Sequence, residues 1–367
     1  MRIAIDIGPL HGHRTGVGHA VAHIVDHLNA DPRVDTTGYI LSFRARPRPG
    51  EIRLPLPARA ATRLWARVDQ PRADRWLGKV DVVHGTNYTA PPTSRPTVIT
   101  VYDCWFLEHP AEANADVARA GRILRRAVAR GAWIHTSSEA TAVRARALLD
   151  TDRIRSIHLG PPPPIEGAGS VPAALNPPEA LLRDGFIVAL GTTERRKRHP
   201  WLVRAVAAME TGTHLVIAGA AGDDHDELSR SVAALPTPVR QRVHLLGPIT
   251  APEKTWLMTN AAVLAYPSLD EGFGFPVLEA HAAGIPVVAS AAGSIPEVAG
   301  DAAMLVDTHD MSAFTAALAT CATDATEREQ LIAAGTANLN RFDWTRTVDS
   351  LVRLYNDAIE AGSRGPA

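Results

Sequence analysis

Residues 262–290 read AVLAYPSLDEGFGFPVLEAHAAGIPVVAS, and this segment gives the clearest indication of the fold class. A short apolar run ends at Tyr266, a turn rich in glycine follows, and a second apolar run occupies residues 286–290. The residues between the two runs have the length of a helix, and Pro276 stands where the first turn of a helix tolerates a missing backbone donor. Strand, helix and strand in this order are typical of a parallel α/β sheet covered by helices.

The same alternation of short apolar runs and helix-length amphipathic segments extends outward in both directions. In the second half of the chain we predict strands at residues 186–190, 215–218, 243–246, 262–266, 286–290 and 303–306. In the first half we predict them at residues 2–8, 81–84, 96–103, 133–137 and 154–159. The expected architecture is α/β, with two Rossmann-like doubly wound parallel-sheet domains that face a shared cleft. The arginine- and proline-rich residues 44–59 are expected to form a surface loop.

A proline-rich segment interrupts this alternation near the middle of the chain. Residues 160–183 read GPPPPIEGAGSVPAALNPPEALLR, and so many prolines remove backbone donors and fix φ that neither a helix nor a strand is expected to continue through them. We therefore predict four parts, which are an N-terminal Rossmann-like domain over residues 1–160, a linker over 161–184, a C-terminal Rossmann-like domain over 185–343, and a C-terminal helix with a frayed tail over 344–367.

The composition describes a globular chain without a strong charge bias. Of 367 residues 46% are apolar, and 38 Lys and Arg balance 39 Asp and Glu, so neither a disordered chain nor a nucleic-acid-binding protein is expected. An acid, Asp6, interrupts the apolar N-terminus, and no apolar run reaches the roughly 18 residues of a membrane span. We expect a cytoplasmic protein, with at most weak peripheral contact at the inner membrane face through residues 44–59.

The turn between the two apolar runs carries the first candidate binding residues. Backbone N–H groups of Gly272, Phe273 and Gly274 stand beside a predicted helix N-terminus, a favourable place for phosphate or sugar oxygens. Glu279 lies one turn into that helix, and helical side chains lean toward the N-terminus. Carboxylates repel phosphate, so Glu271 and Glu279 are expected to accept hydrogen bonds from sugar or ribose hydroxyls. The alternative is a solvated helix start with two surface acids.

At this point the sequence resembles a known family. Glu271 and Glu279, with seven residues between them, resemble the Glu-x7-Glu signature of retaining glycosyltransferases of family 4, which have the GT-B fold. Residues 191–198 read GTTERRKR at the place where that family carries a basic donor loop. By this resemblance Arg196 and Lys197 hold the donor diphosphate, and the electrostatics agree because a leaving diphosphate gains charge in the transition state.

Further donor contacts are implied by glycines elsewhere in the chain. Residues 14–18, RTGVG, resemble the glycine loop of the family, which implies that Gly16 and Gly18 approach the donor. As a dinucleotide fingerprint the same segment fails, because Val21 occupies the third glycine position, and a Rossmann oxidoreductase is a poor second choice. The backbone near Gly247 is expected to meet the base of the donor.

Polar residues at two strand ends complete the candidate site. Tyr102 stands where the family usually carries a histidine near the donor sugar, so we assign it to donor binding through its hydroxyl. Asp103 is then the better polar candidate for catalysis in the N-terminal domain. His84 and Asn87 end the preceding strand and are predicted to lie on the acceptor side.

The resemblance implies a retaining, metal-independent hexosyltransferase of polysaccharide, glycolipid or natural-product glycosylation. It would move a hexose from a nucleoside-diphosphate sugar, with GDP-mannose as a first guess, to a glycan, glycolipid or small-molecule acceptor. No resident cofactor and no metal are expected, because basic side chains can neutralise the diphosphate as a divalent ion would. Two alternatives remain open: another GT-B enzyme that acts on the sugar nucleotide itself, such as an epimerase, and a non-catalytic sugar-nucleotide-binding subunit.

Overall fold

The computed structural model describes residues 1–11, 16–165, 167, 169–175 and 179–363. Two compact units make up the chain. The N-terminal unit contains Met1–Gly160 together with the chain from Asp343 on, and the C-terminal unit is Pro161–Phe342. Each unit is built on one parallel sheet, so the prediction of two Rossmann-like α/β units is confirmed.

The sheet of the N-terminal unit has seven strands in the order β3-β2-β1-β4-β5-β6-β7. The strands are β1 Arg2–Asp6, β2 Asp35–Leu41, β3 Ile52–Leu54, β4 Val82–Gly85, β5 Thr97–Val101, β6 Trp133–Thr136 and β7 Ile154–Ser156. From β1 the chain winds outward to β3, and from β4 it winds in the opposite direction to β7. The strand order therefore reverses between β1 and β4, and ligands of open α/β sheets bind outside the carboxyl ends at such a point.

The sheet of the C-terminal unit has six parallel strands in the order β10-β9-β8-β11-β12-β13. The strands are β8 Phe186–Leu190, β9 His214–Ala218, β10 Val243–Gly247, β11 Val263–Tyr266, β12 Val287–Ser290 and β13 Met304–Val306. Every residue of the central strands β8 and β11 is buried, because helices cover both faces of the sheet. This two-sided burial explains why those strands read as continuous apolar runs rather than as alternating ones.

Helices connect the strands of both units. They are α1 Gly16–Asn29, α2 Ala58–Trp65, α3 Asp74–Leu77, α4 Trp105–Glu108, α5 Ala115–Ala129, α6 Glu139–Leu149, α7 Glu179–Asp184, α8 His199–Ala207, α9 His225–Ala233, α10 Thr237–Arg240, α11 Ala251–Asn260, α12 Phe275–Ala283, α13 Ile295–Ala299, α14 Met311–Thr323, α15 Ala325–Leu339 and α16 Trp344–Ser363. Local sequence fixes several ends: Thr250 and Glu253 form a capping box at the start of α11, and Gly284, at φ 71°, ends α12. In the described part of the chain no helix is long and apolar enough to span a membrane.

Part of the segment predicted as a surface loop is regular structure. Residues 44–59 contain β3 and the first residues of α2, so the loop prediction is wrong there. The strand β3 has three residues and lies at the sheet edge, with Leu54 as its one fully buried side chain. So short a strand leaves almost no periodic pattern in the sequence. The strand β2, which reads DTTGYIL and lies between β3 and β1, was also not predicted, because only two of its seven residues are buried.

The proline-rich segment also contains ordered elements. It belongs to the C-terminal unit and includes α7. Leu175 and Leu181 are buried in the core of that unit, against Phe186 and Trp256 among others. The preceding strand β7 ends at Ser156, before the prolines begin, and apolar residues spaced among the prolines are buried in the core of the C-terminal unit.

Helix α16 folds back onto the N-terminal unit. Its first residue, Trp344, lies against Gly160, where an added Cβ would stand 2.3 Å from the indole ring. The ring of Trp344 also stacks on His23 and His27 of α1, at centroid distances of 5.1 and 5.0 Å. Helix α16 therefore completes the unit that contains strands β1 to β7.

Candidate functional site

The glycine-bearing turn between β11 and α12 is buried and tightly packed. Residues 270–274 are all buried. Gly274 has φ 92° and precedes α12, and a Cβ at this position would lie 2.6 Å from Cδ1 of Ile295. The ring of Phe273 packs edge-on against Phe275 and Phe342. The side chain of Phe273 thus anchors the turn, and the donor contact predicted for this residue concerns its backbone N–H alone.

Glu271 forms ion pairs with both basic residues that the sequence singled out. Nζ of Lys197 lies 2.5 Å from Oε1 of Glu271, and Nη1 of Arg196 lies 3.2 Å from Oε2. Arg196 and Lys197 stand on a single 3-10 turn between β8 and α8, and Arg196 also donates to the carbonyl of Asp270 at 3.1 Å. The structure therefore brings together three of the residues for which a role at the donor is predicted.

Burial makes this cluster electrostatically strong. Glu271 is 6% exposed, and burial alone would raise its pKa, but Lys197 and Arg196 outweigh burial and lower the pKa to about 2. Burial lowers the pKa of Lys197, and the carboxylate of Glu271 offsets part of that effect. Nζ of Lys197 also donates to the hydroxyl of Tyr266 at 2.9 Å. Because Glu271 stays ionised, it can accept hydrogen bonds from hydroxyls but cannot donate a proton near neutral pH.

Glu279 lies in α12 and is paired with a lysine that the sequence analysis did not identify. Nζ of Lys254, in α11, lies 2.6 Å from Oε1 of Glu279, and both side chains are half-buried. The two residues are 25 positions apart on different helices, so no sequence periodicity joins them. Gly247, at φ 67°, ends β10 and accepts from the N–H of Gly219 at 2.9 Å. Apart from its chain neighbours, no atom of the described residues lies within 4 Å of the place where a Cβ of Gly247 would be, so this strand end is open.

Tyr102 and Asp103 follow β5 at the carboxyl edge of the N-terminal sheet. Tyr102 is 7% exposed, and its hydroxyl has no hydrogen-bond partner among the described residues. Asp103 accepts from the hydroxyl of Tyr88 at 2.8 Å and from the N–H of Trp105 at 3.2 Å. The carboxylate of Asp103 therefore already orders the loop around it, whereas the Tyr102 hydroxyl is free to meet a ligand.

The glycines of the predicted loop lie on a helix. Gly16 and Gly18 occupy the first turn of α1, and Gly18 is buried. Residues 14 and 15 of the same motif lie outside the described residues. The carboxyl edge of the N-terminal sheet is thus followed by a helix N-terminus, which suits an anion or a polar oxygen. The donor roles of Gly16 and Gly18 stay predictions.

The acceptor-side prediction for His84 does not fit its surroundings. Its side chain is fully buried, with Nδ1 2.8 Å from the hydroxyl of Tyr355 and Nε2 2.8 Å from Oγ1 of Thr100. Thr100 continues the chain of hydrogen bonds to Nδ1 of His135 at 3.0 Å. Burial lowers the pKa of His84 to about 3, so the ring is neutral. With both nitrogens occupied, His84 joins α16 to the sheet, whereas Asn87 is exposed and stays an acceptor-side candidate.

Comparison with known proteins agrees with the chemistry of the C-terminal unit. Residues 185–324 match the family model described as glycosyl transferases group 1. The matched residues include the basic turn, Glu271, Glu279 and Lys254, so the whole charged cluster lies inside the segment that matches this family model.

Two curated relatives extend the similarity. The chain is 29% identical over 180 residues to the O-antigen chain mannosyltransferase B of Escherichia coli, an alignment that covers 48% of this chain and 46% of the relative. It is 31% identical over 247 residues to the D-inositol 3-phosphate glycosyltransferase of Stackebrandtia nassauensis, with 63% of this chain and 55% of the relative covered. The chain spans about half the length of these relatives.

Solved structures match the chain over nearly its whole length. Sucrose-phosphate synthase from Thermosynechococcus elongatus has a TM-score of 0.74 at 17% identity, over 98% of this chain and 100% of that one. Anabaena HepE in complex with UDP-glucose has a TM-score of 0.72 at 17% identity, over 97% and 100%. At such identities the likeness bears on the fold alone, and it confirms the predicted GT-B class.

Proposed function

We propose that this protein is a retaining glycosyltransferase of the family 4 type, which transfers a hexose from a nucleoside-diphosphate sugar to a hydroxyl-bearing acceptor. The observation that carries the proposal is the buried cluster of Glu271, Arg196 and Lys197 beside the N-terminus of α12, inside a group 1 domain. This cluster combines a carboxylate, which can accept hydrogen bonds from sugar hydroxyls, with two cations, which can neutralise a diphosphate. These are the groups that complement a sugar linked to a diphosphate.

Each group of the cluster has a role in the proposed donor site. Glu279 accepts from the ribose hydroxyls, and Glu271 with the backbone N–H groups of residues 272–274 positions the donor sugar. Arg196 and Lys197 neutralise the departing diphosphate. The open strand end at Gly247 faces the base, which is read through the backbone. The N-terminal unit holds the acceptor, a glycan, a glycolipid or a small molecule.

The transfer step uses groups that the substrates themselves supply. The bond between the anomeric carbon and the diphosphate oxygen breaks, and a bond from the acceptor oxygen to that carbon forms on the same face of the sugar. The proton of the acceptor hydroxyl passes to the leaving phosphate oxygen, so the products are a glycoside and a nucleoside diphosphate. Glu271 remains ionised throughout, because its pKa lies far below neutral.

Metal independence belongs to the same proposal. Arg196 and Lys197 supply positive charge where a divalent ion would otherwise act, so we expect turnover to survive EDTA. Loss of turnover with the chelator, followed by recovery with magnesium, would refute this part of the proposal.

The donor is identified by a thermal-shift screen against UDP-glucose, GDP-mannose, dTDP-glucose and ADP-glucose. GDP-mannose is our first candidate, in keeping with the similarity to a mannosyltransferase, and the UDP-glucose complex of HepE makes UDP-glucose the second. A ligand at 100 times its dissociation constant adds about 2.7 kcal/mol of stability. We expect one donor to stabilise the parent protein and not the Glu279→Ala variant.

Glu253→Ala is the matched control for Glu279→Ala. Glu253 is an acid of the same unit whose side chain caps α11, so its loss changes a helix end and no predicted donor contact. Stabilisation of the parent by none of the four donors would overturn the proposed function. Stabilisation without any donor turnover would instead favour a non-catalytic sugar-nucleotide-binding subunit, the alternative to which the tyrosine at position 102 points.

Peripheral membrane contact is a further part of the proposal and rests on exposed apolar side chains of the N-terminal unit. Phe43, Leu64 and Val68 are 62%, 48% and 46% exposed. Exposed arginines stand beside them in the sequence, among them Arg44 and Arg63. Apolar side chains interleaved with cations suit an anionic lipid surface.

A further inference from the structure

The carboxyl edge of the N-terminal sheet carries an acid that the proposed mechanism does not use. Asp6 is the last residue of β1, and the strand order reverses between β1 and β4. Oγ1 of Thr86, which follows β4, donates to the carbonyl of Asp6 at 2.8 Å and ties the two strand ends together. Asp6 therefore stands at the point of the sheet where open α/β folds bind their ligands.

The carboxylate of Asp6 has little to compensate it. Oδ1 accepts from the N–H of Gly8 at 2.8 Å, and no lysine, arginine or histidine of the described residues forms an ion pair with Asp6. Burial raises the pKa of Asp6 to about 6, and the single N–H bond offsets only part of that rise. A partly buried carboxylate without a cation costs stability, and such groups persist mainly where they meet a ligand.

A second polar group stands at the same carboxyl edge of the sheet. The hydroxyl of Tyr102 is buried and makes no hydrogen bond among the described residues. Tyr102 follows β5, and only β4 lies between β5 and β1 in the sheet. Burial raises the pKa of Tyr102, and the negative charge of Asp6 raises it further. Asp6 and Tyr102 thus offer one acceptor and one donor at one edge of the sheet.

We propose that Asp6 binds the glycosyl acceptor, with its carboxylate accepting a hydrogen bond from a hydroxyl of a sugar or a cyclitol, while the hydroxyl of Tyr102 donates to a neighbouring oxygen of the same ring. The inference rests on the proposed function. A carboxylate repels phosphate and carboxylate groups, so the acceptor presents a neutral polyol face to Asp6, and any phosphate it carries lies elsewhere. The transferred proton goes to the leaving phosphate, so Asp6 binds and orients the acceptor rather than deprotonating it.

The test uses Asp6→Asn in the full-length protein, with the donor found in the thermal-shift screen. The amide oxygen of asparagine still accepts from Gly8, so the turn is kept and the charge is removed. Methyl α-D-mannoside and D-inositol 3-phosphate serve as the acceptor probes, and release of nucleoside diphosphate above the rate of donor hydrolysis measures transfer. We expect the KM for the acceptor to rise about ten- to a hundredfold, the range for one hydrogen bond to a charged group, with a smaller change in kcat.

Three readouts separate binding of the acceptor from a structural role. Donor binding and donor hydrolysis are expected to stay at the parent level, because the charged groups proposed to hold the donor, Glu271, Glu279 and the basic turn, lie in the other unit. The Tm of Asp6→Asn at pH 8 is expected to equal or exceed that of the parent, since an uncompensated charge is lost. In the parent, kcat/KM for the acceptor rises with pH through about 6, and in the variant this rise is absent.

Asp81→Asn is the matched control. Asp81 accepts from the N–H of Arg2 at 2.7 Å at the opposite, amino edge of the same sheet, so its loss should leave the KM for the acceptor unchanged. A parent that binds and hydrolyses donor, together with an Asp6→Asn variant of normal acceptor KM, would overturn the inference and leave the proposed function intact. A lower Tm with unchanged KM would make Asp6 a structural residue. Failure of the parent itself to bind any donor would instead count against the proposed function.

Discussion

Two acids stand at the carboxyl ends of parallel strands, one in each unit, and their surroundings are opposite. Glu271 of the C-terminal unit lies against two cations, which lower its pKa to about 2. Asp6 of the N-terminal unit accepts one backbone N–H, and burial raises its pKa to about 6. The topology places both acids at the edge where ligands bind, and the difference between them comes from one basic turn, which follows β8 and has no equivalent after β1 in the described residues.

The two acids differ in whether other charged groups compensate the carboxylate. The charges around Glu271 satisfy one another, so removal of one leaves another buried without its partner. The charge of Asp6 is compensated by one backbone N–H among the described residues, so removing the charge should remove a desolvation cost and raise the stability. The first arrangement stabilises the fold, and the second lowers its stability.

Lys197→Met should produce the largest effect. It leaves Glu271 buried with Arg196 alone, and loss of one partner of a buried ion pair costs about 3 kcal/mol. We expect the free energy of unfolding, measured with urea, to fall by about that amount and donor turnover to fall at least about a hundredfold. The double variant Lys197→Met/Glu271→Gln should regain most of the stability and none of the turnover. A single variant as stable as the parent would remove the electrostatic contrast between the two units.

The pH dependence of stability should have opposite signs for the two acids. The pKa of Glu271 falls from an ordinary 4.5 to about 2 on folding, so its contribution is present above pH 4.5 and is lost as the pH falls toward 2. The pKa of Asp6 rises from 3.8 to about 6, so its cost is present above pH 6 and disappears as the pH falls toward 3.8. Each effect is on the order of 3 kcal/mol.

Urea unfolding at pH values from 2.5 to 8 measures both slopes. Glu271→Gln should flatten the profile below about pH 4.5, and Asp6→Asn should flatten it between about pH 4 and pH 6. Equal slopes for the two variants over the same range would mean that the acids do not differ in the way described.

Lys254→Met addresses an intermediate case. Glu279 is half-buried and has one cation, so its pair with Lys254 should contribute less than about 1 kcal/mol to stability. Without Lys254 the charge of Glu279 faces the nucleotide uncompensated, and the dissociation constant of the donor should rise about three- to tenfold. Isothermal titration with the donor from the screen measures this change. Tighter donor binding in the variant would show that Lys254 competes with the ribose instead of supporting the site.

The smallest effect is expected at the surface. Phe43→Ser should weaken binding of the protein to vesicles of phosphatidylglycerol and phosphatidylcholine about two- to threefold, because one exposed ring contributes little to a weak contact. Leu182→Ser is the control, since Leu182 is 51% exposed on the C-terminal unit. Co-sedimentation with the vesicles measures both. Equal losses for the two variants would show that the N-terminal unit has no membrane-facing surface of its own.

The sequence predicted most of what lies in the buried strands and directly after them. Strands such as β8 and β11 are buried on both faces and read as apolar runs, and the turns that follow them carry Lys197 and Glu271. The clustering of these residues follows from parallel topology, which brings the carboxyl ends of neighbouring strands to one edge.

What sequence reasoning missed depends on contacts between distant segments. The burial of His84 comes from Tyr355, which is 271 positions away, and nothing in either local pattern joins them. Lys254 and Glu279 meet because α11 and α12 pack together. Asp6 was visible as an acid at the end of an apolar run, but that it has no ion-pair partner among the described residues is a property of the folded chain. The edge strand β3 was missed because a strand with a single buried residue shows no alternation of apolar and polar residues in the sequence.

The return of α16 to the N-terminal unit has a consequence for the order in which the two units can be completed on the ribosome. The C-terminal unit is continuous in sequence, and all of its residues have been made before Asp343 is added. The N-terminal unit has its seven strands by then but still lacks Trp344 and Tyr355, which cover Gly160 and close the hydrogen-bond chain at His84. Domains usually finish folding in the order of their synthesis. In this protein the N-terminal unit is synthesised first, but it receives helix α16 only after the C-terminal unit has been synthesised.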